Sequence, residues 1–358
     1  MKAGKAGLRR WLIAGAIATC SFVSLTDAQE RRWEIEGYGG LAAQTAGAGS
    51  QTLPPAGAPI VTSNPIFPSR ETSSWFFGDG AALLNGVNAE FGAPGRITPL
   101  DSILSALPGT HAAGIGFRLR RRLDDRLSAE FSVDTTPSSG AGSERLTAAV
   151  DAARSSFKAA FGDLLGTGPF SGVAIDATGA SHSGFQRDTA ITAAINARIT
   201  TWGPVAPYIT VGGGVLVPRG TLPSATLEGH YRFSILGQVP IEETDRISMR
   251  YTRGTAWAAV FGGGVRREFS SRWGLRVDAR LLVGPDPTRA IIDARPSIAH
   301  GTPSGFVESF TNPAIQFSND PSTGRVSSLS GAALDGFQTF KGGTQTKTML
   351  TVGVFRRF

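Results

Sequence analysis

Cysteine is nearly missing from this sequence: Cys20 is the single one in 358 residues. That excludes a disulfide framework, a cysteine-based zinc cluster and thiol catalysis for the bulk of the chain. Long hydrophobic runs are missing too. The stretch Trp11–Leu25 is 15 residues, short of the roughly 20 that a membrane-spanning helix needs. Histidine is scarce, and His111, His182, His230 and His300 are scattered without metal-ligand spacing. No cofactor is expected. Gly212-Gly213-Gly214 is no phosphate loop, since no Gly-Lys-Ser/Thr follows it.

What is present begins with an export signature. Lys2, Lys5, Arg9 and Arg10 precede the apolar run, and Thr26-Asp27-Ala28 follow it. This order describes a signal peptide over 1–28 with cleavage after Ala28, leaving 29–358 as one mature domain. A lipidated Cys20 is the alternative, and Thr19 is a poor residue before such a cysteine. Taking Lys2, Lys5, Arg9, Arg10 and Asp27 away from 35 basic and 28 acidic residues leaves 31 against 27. So small a surplus argues against a nucleic-acid partner.

Period-2 alternation marks the strands. Trp33 to Leu41 sets Trp33 and Ile35 against Glu34, Glu36 and Tyr38. His111 to Arg121 sets Ala113, Ile115, Phe117 and Leu119 against Arg118 and Arg120. The turn 122–126 leads to Leu127, Ala129, Phe131 and Val133 against Glu130 and Asp134. Gln186 to Ile199 and a strand from Val205 flank the short turn 200–204. Strand six ends near Phe269, and the seventh carries Leu275, Val277, Ala279 and Leu281 against Arg276, Asp278 and Arg280.

Between the short turns lie long Gly/Ser/Pro-rich insertions: Ala42 to about Gly109, Thr135 to about Phe185, and Gly284 to about Gly343. In the first, Ala81–Val87 reads as a short packed or helical piece. In the second, Leu146, Val150, Ala153, Phe157, Phe161 and Leu164 fall at helical spacing. That predicts an amphipathic helix over 143–165 resting on or in a barrel mouth. Thr226–Ile235 and Arg246–Tyr251 also alternate. The apolar odd phase of Ile247, Met249 and Tyr251 runs unbroken into Trp257, Phe261 and Val265. One long strand accounts for unbroken phase, so the fifth and sixth strands are expected as a hairpin extended beyond the membrane; two further strands, making ten, is the alternative.

The last stretch, Thr346–Phe358, sets Leu350, Val352 and Val354 opposite Met349, Thr351, Gly353 and Arg357 and ends on an aromatic residue. It resembles the closing strand of bacterial outer-membrane β-barrels, in which the terminal aromatic is read by the insertion machinery; Arg356 stands where that family favours an aromatic or large apolar residue. Three tight turns alternating with four long connections are the signature of such a barrel. The chain is similar to the OmpA-like and OmpW-like eight-stranded superfamily in architecture. That resemblance implies an all-β, antiparallel, up-and-down transmembrane barrel in the cell outer membrane, with long extracellular loops. It also implies outer-membrane lipid and the barrel-assembly machinery as partners, the latter through Phe358, and surface ligands held by the loops.

Charge assigns the faces. Glu34, Glu36, Arg118, Arg120, Glu130, Asp134, Arg198, Arg266, Glu268, Arg276, Asp278 and Arg280 all share the polar face, six acids and six bases. Eight strands enclose just enough room for side chains to fill, so this set is expected as an ion-paired interior. Gly212–Gly214 and Gly262–Gly264 give inward room for long arginines. Trp33, Trp202, Trp257, Trp273 and Phe358 lie near strand ends, where interfacial aromatics belong. The expected function is non-enzymatic: a structural or surface-contact barrel. The alternatives are a narrow channel for small solutes and a lipid-modifying envelope hydrolase. For the last, His182-Ser183 and His230 beside Glu228 are the only candidates, neither with an oriented triad.

Overall fold

The computed structural model describes residues 32–45, 47–54, 70–101, 107, 109–138, 141–237, 240–298, 315–319 and 326–358. The segment 1–28, Cys20 and His300 lie outside them. Eight strands close into an antiparallel barrel: β1 (Trp33–Thr45), β3 (Thr110–Arg122), β4 (Leu127–Ser138), β6 (Phe185–Arg198), β7 (Val205–Thr221), β10 (Ala256–Glu268), β11 (Trp273–Pro285) and β15 (Thr344–Arg357). The ring order is β1-β15-β11-β10-β7-β6-β4-β3, and β3 returns to β1. The closing pair sets Glu34 opposite Arg357 and Gly40 opposite Thr351.

The three connections 123–126, 199–204 and 269–272 are the short ones, and all lie at one rim. Trp33 and Phe358 exchange backbone hydrogen bonds of 3.3 and 3.1 Å at that same rim. Alternation then sorts the side chains. Ile115, 68 % exposed, Phe117, Phe131, Ile195, Val211, Phe261, Val277, Leu350 and Val352 point outward, while Glu36, Arg118, Arg276 and Asp278 are buried inside. Burial is therefore inverted relative to a soluble domain, where charges are almost never fully buried. A lipid exterior resolves the inversion, because lipid takes the apolar face and the internal charges find one another. On β11 the outward face runs from Trp273 to Val283. At about 3.3 Å per residue and a tilt near 40°, that spans roughly 25 Å, the height of a barrel's apolar band.

At the short-turn rim, outward arginines lie over aromatic rings: Arg121 over Trp33 at 5.4 Å, Arg267 over Phe269 at 5.9 Å and Arg356 over Trp273 at 5.6 Å. Such side chains keep an apolar body in lipid and a charged tip at its edge. Arg356 thus serves the rim, and its neighbour Phe355 points inward, where the missing side chain of Gly274 leaves space for its ring.

The long insertions are more ordered than their composition predicts. β2 (Ser50–Gln51), β5 (Phe170–His182), β8 (Ser224–Ile235), β9 (Ile241–Arg253), β12 (Thr288–Ala294), β13 (Ser297–Ile298) and β14 (Leu334–Lys341) form a second sheet, ordered β2-β14-β12-β9-β8-β5, with β13 on β9. Five of its joints to the barrel are two residues long: Ser183-Gly184, Leu222-Pro223, Gly254-Thr255, Asp286-Pro287 and Gly342-Gly343. Each carries a glycine or proline, and such residues interrupt a ladder. The sheet is thus a bent continuation of the barrel strands.

This modifies the expectation of one unbroken strand. The hairpin does extend past the apolar belt, but the chain changes sheets at Gly254-Thr255. A two-residue joint preserves odd–even parity, so the phase of Ile247, Met249 and Tyr251 passes into Trp257 and Phe261 although the two groups face different surroundings. The barrel keeps eight strands.

One face of the second sheet is covered by the helix Ala141–Gly166, against which a shorter helix, Gly78–Glu90, packs. The longer helix packs on β5 and β8, not in the barrel mouth. Its Phe157 and Phe161 meet Phe76, Trp75 and Tyr231, with the Phe161 and Tyr231 rings stacked at 4.3 Å. Leu227, Phe233, Ile247 and Met249 complete this core. Neither helix is long and apolar enough to cross a membrane. The sheet's other face carries surface ion pairs, Glu228 with Arg246 and Asp293 with Arg250.

Candidate functional site

The lumen is built in layers because inward residues of neighbouring strands come level with one another. In the central layer Arg118 Nη1 reaches Glu36 at 2.9 Å, and its Nη2 reaches Thr351 at 3.0 Å and Asp278 at 3.4 Å. Arg276 reaches Glu130 at 2.8 Å, Glu36 at 3.1 Å and Asp278 at 3.2 Å. Arg280 bonds Asp278 at 2.6 Å and also Glu130. The Tyr208 hydroxyl joins Arg276 to Asp278, and Asn196 Nδ2 donates to Glu130 at 3.0 Å. Next to this layer Lys347 pairs with Asp134 at 3.3 Å. Glu36, Glu130, Asp134 and Asp278 thus balance Arg118, Arg276, Arg280 and Lys347 one for one.

Further from the short-turn rim the lumen turns apolar: Ala42, Ala190, Leu216, Ala258, Val260, Leu282 and Met349 pack together. Beyond them Arg253 holds Asp188 at 2.9 Å and Gln345 at 2.7 Å. Inward glycines make the fit achievable. A Cβ on Gly116 would overlap the Tyr38 ring, and one on Gly264 would overlap the Tyr208 hydroxyl.

At the rim itself Glu34 faces Arg266 at 2.8 Å, Arg357 at 3.4 Å and Arg120 at 3.8 Å, and Arg357 also binds Glu268 at 2.9 Å. Of the twelve charged residues named from the sequence, these layers bring together all but Arg198, which lines a cavity at the rim instead. Tyr38, Tyr208, Asn196, Asp188, Lys347, Arg253 and Arg357 were not among them. Lys347 and Arg357 share the inward parity of Met349, and Asp188 that of the polar face, so strand parity was the signal available for them. Tyr208 and Asn196 carry no charge, and only the closed ring shows their roles.

The hydrolase candidates are placed differently from the sequence expectation. His230 Nε2 bonds Glu242 at 2.8 Å, whereas Glu228 bonds Arg246. Adjacent parity made Glu228 look like the partner, but the β8–β9 register sets Glu242 beside His230's strand neighbour Arg232. His182 lies at the exposed end of β5. No group of three or more His, Cys, Asp or Glu side chains suited to a metal occurs among the described residues.

A second polar cluster lies under the helices. Asp245 accepts hydrogen bonds from the Trp75 amide at 2.6 Å and the Ser74 hydroxyl at 2.9 Å. Complete burial nevertheless pushes its carboxyl up to about 7. Glu243, bonded by Tyr231 and Ser327, is raised by the same cause. Both hold chain segments onto the sheet and are closed to solvent.

No family model matches the chain, and no curated protein sequence does. Among solved structures, OprG from Pseudomonas aeruginosa aligns over 93 % of this chain and 99 % of its own, at 8 % identity and a TM-score of 0.33. The protease OmpT from Escherichia coli aligns over 93 % and 99 %, at 9 % identity and 0.30. Ail from Yersinia pestis aligns over 91 % and 99 %, at 9 % identity and 0.25. At these scores the likenesses carry no weight for this chain, and its own strand pairing carries the assignment. Closed pairing, inverted burial and one-sided short turns make the fold an eight-stranded β-barrel of the outer-membrane type.

Proposed function

We propose that the protein is a non-enzymatic integral outer-membrane barrel whose lumen is sealed by ion pairs and whose sheet-and-helix cap makes contacts at the cell surface. The observation that supports this reading is the lumen. A neutral charge layer with side chains 0 to 5 % exposed is followed by an apolar layer, and in this reading the two layers close the lumen to solutes. The cap's charged outer face, with Glu228, Arg246, Arg250 and Asp293, is its natural contact surface. In this reading lipid covers the outward belt, and the closing strand with Phe358 is what the barrel-assembly machinery engages. His230 and Glu242 share a hydrogen bond of 2.8 Å at the surface, which we read as structural.

The test is conductance. The full chain is isolated from outer membranes, its folded state is checked by a boiling-dependent change in gel mobility, and it is placed in planar bilayers. The expected result is outer-membrane residence and no stable single-channel steps. Reproducible steps that disappear when the protein is boiled first would sink the sealed-lumen reading in favour of a channel.

A further inference from the structure

The charge balance of the lumen fails at its short-turn end. Glu34 and Glu268 there face Arg120, Arg266 and Arg357, with Arg198 beside them; with Asp124, Asp125, Arg32, Arg122 and Arg126 of the surrounding rim, seven guanidinium groups stand against four carboxylates. These side chains line a cavity of 190 Å³ that opens between the short turns. At about 30 Å³ per water, it has room for roughly six waters or one small hydrated anion.

Two further observations point to a ligand. Arg120 is 7 % exposed and Arg266 is 8 % exposed, yet Arg120 Nη1 and Arg266 Nε make no hydrogen bond among the described residues; Glu34 Oε1, itself without a donor, stands 3.8 Å from Arg120 Nη1, beyond hydrogen-bond reach. Buried donors without acceptors cost free energy, more so when they carry charge. The guanidinium groups are also held in place by aromatic faces, Arg120 over Tyr208 at 5.9 Å and Arg266 over Phe355 at 4.7 Å. Ser128 fixes Arg120 further by accepting from its Nε at 2.6 Å. Arg198 carries no ion pair among the described residues. Fixed, planar, charged donors around a small concavity suit a tetrahedral oxyanion, which a guanidinium engages through paired N–H donors.

We propose that this vestibule is a binding site for a small soluble phosphate-bearing anion on the periplasmic side. A lipid headgroup shares the chemistry. It would have to leave the outer wall and enter the ring, because Arg120, Arg266 and Arg357 point inward, so the free anion is the ligand assigned.

The test uses the full chain, refolded in a non-ionic detergent free of phosphate, with inorganic phosphate as the probe in calorimetry and phosphorus NMR at constant ionic strength. The expected result is saturable one-to-one binding that an equal concentration of chloride does not abolish. Arg120→Gln should weaken it about tenfold, in line with the loss of a charged hydrogen bond. Arg198→Gln, which removes no ion pair, should weaken it severalfold without altering the boiling-dependent gel shift, so the proposal stays testable if Arg120→Gln fails to fold. Arg154→Gln, on the exposed side of the long cap helix and outside the cavity, should leave affinity within twofold. Absence of saturable binding, full displacement by chloride, equal loss in all three variants, or binding seen only with anionic phospholipid micelles would each overturn the proposal.

Discussion

Arg276 and Glu130 meet at 2.8 Å although their strands, β11 and β4, stand on opposite sides of the eight-membered ring. Both side chains are 1 % exposed. The bond therefore spans the lumen and ties together strands that share no backbone hydrogen bond.

Removing one end of this tie should be costly. Glu130→Ala leaves Arg276 and Arg280 short of a carboxylate in a closed interior, where breaking a buried pair costs about 3–5 kcal/mol. Urea unfolding in detergent or lipid vesicles checks this. A loss below 1 kcal/mol, about what an exposed pair contributes, would mean that water reaches the site.

An inward glycine and an outward one should differ by the space around them. Gly264→Ala places a methyl against the Tyr208 hydroxyl and the Val277 carbonyl, whereas at Gly37 nothing lies within 4 Å of the new carbon. Gly264→Ala is expected to destabilise by about 1–3 kcal/mol, and Gly37→Ala by no more than about 0.5 kcal/mol. Equal unfolding midpoints for the two variants would contradict the packing described.

Val277 lies in the middle of the outward face of β11. Val277→Arg should cost roughly 2–4 kcal/mol in a lipid bilayer. The measurement is reversible unfolding from vesicles. A neutral outcome would place water, not lipid, on that face.

The cap should respond to pH through Asp245. Burial raises its folded-state carboxyl to about 7, above the ordinary unfolded value of about 3.9. Below the lower value both states hold the proton, and between the two only the folded state does. Cap stability is therefore fullest at low pH, falls as pH rises through this window, and levels off above about 7, with a loss on the order of a few kcal/mol. Glu243 shifts in the same direction and adds to the slope. Amide exchange at Trp75, whose N–H is bonded to Asp245, should speed up between pH 5 and pH 8. Asp245→Asn should flatten that profile; an unchanged slope in the variant would remove Asp245 from the account.

Much of the barrel was readable in the chain. Strands with a charged parity and an apolar one, such as Leu275–Leu281 against Arg276–Arg280, identify themselves because a two-sided environment imposes a period of 2. The helix over 141–166 was readable from Leu146, Val150, Phe157 and Phe161 for the analogous reason. The second sheet was not. β5 (Phe170–His182) is an edge strand rich in Gly, Ala and Ser, with most of its residues exposed, so no burial contrast marks it. The pairing of β12 with β14 is interrupted by register shifts at Ala290/Ile291 and Ile292/Ala294, which blur the alternation there. The two-residue joints hid the boundary between sheets by preserving parity.

The sequence by itself determined which side chains share a face and which connections are short, because both follow from local spacing along one strand. Only the tertiary structure decided which charges meet. Arg276 and Glu130 are far apart in sequence and on non-adjacent strands, and their contact depends on ring closure and stagger around all eight strands. The surplus of arginine around Glu34 was decided the same way, since strand parity lists the charges of the interior but only the closed barrel sets their heights within it.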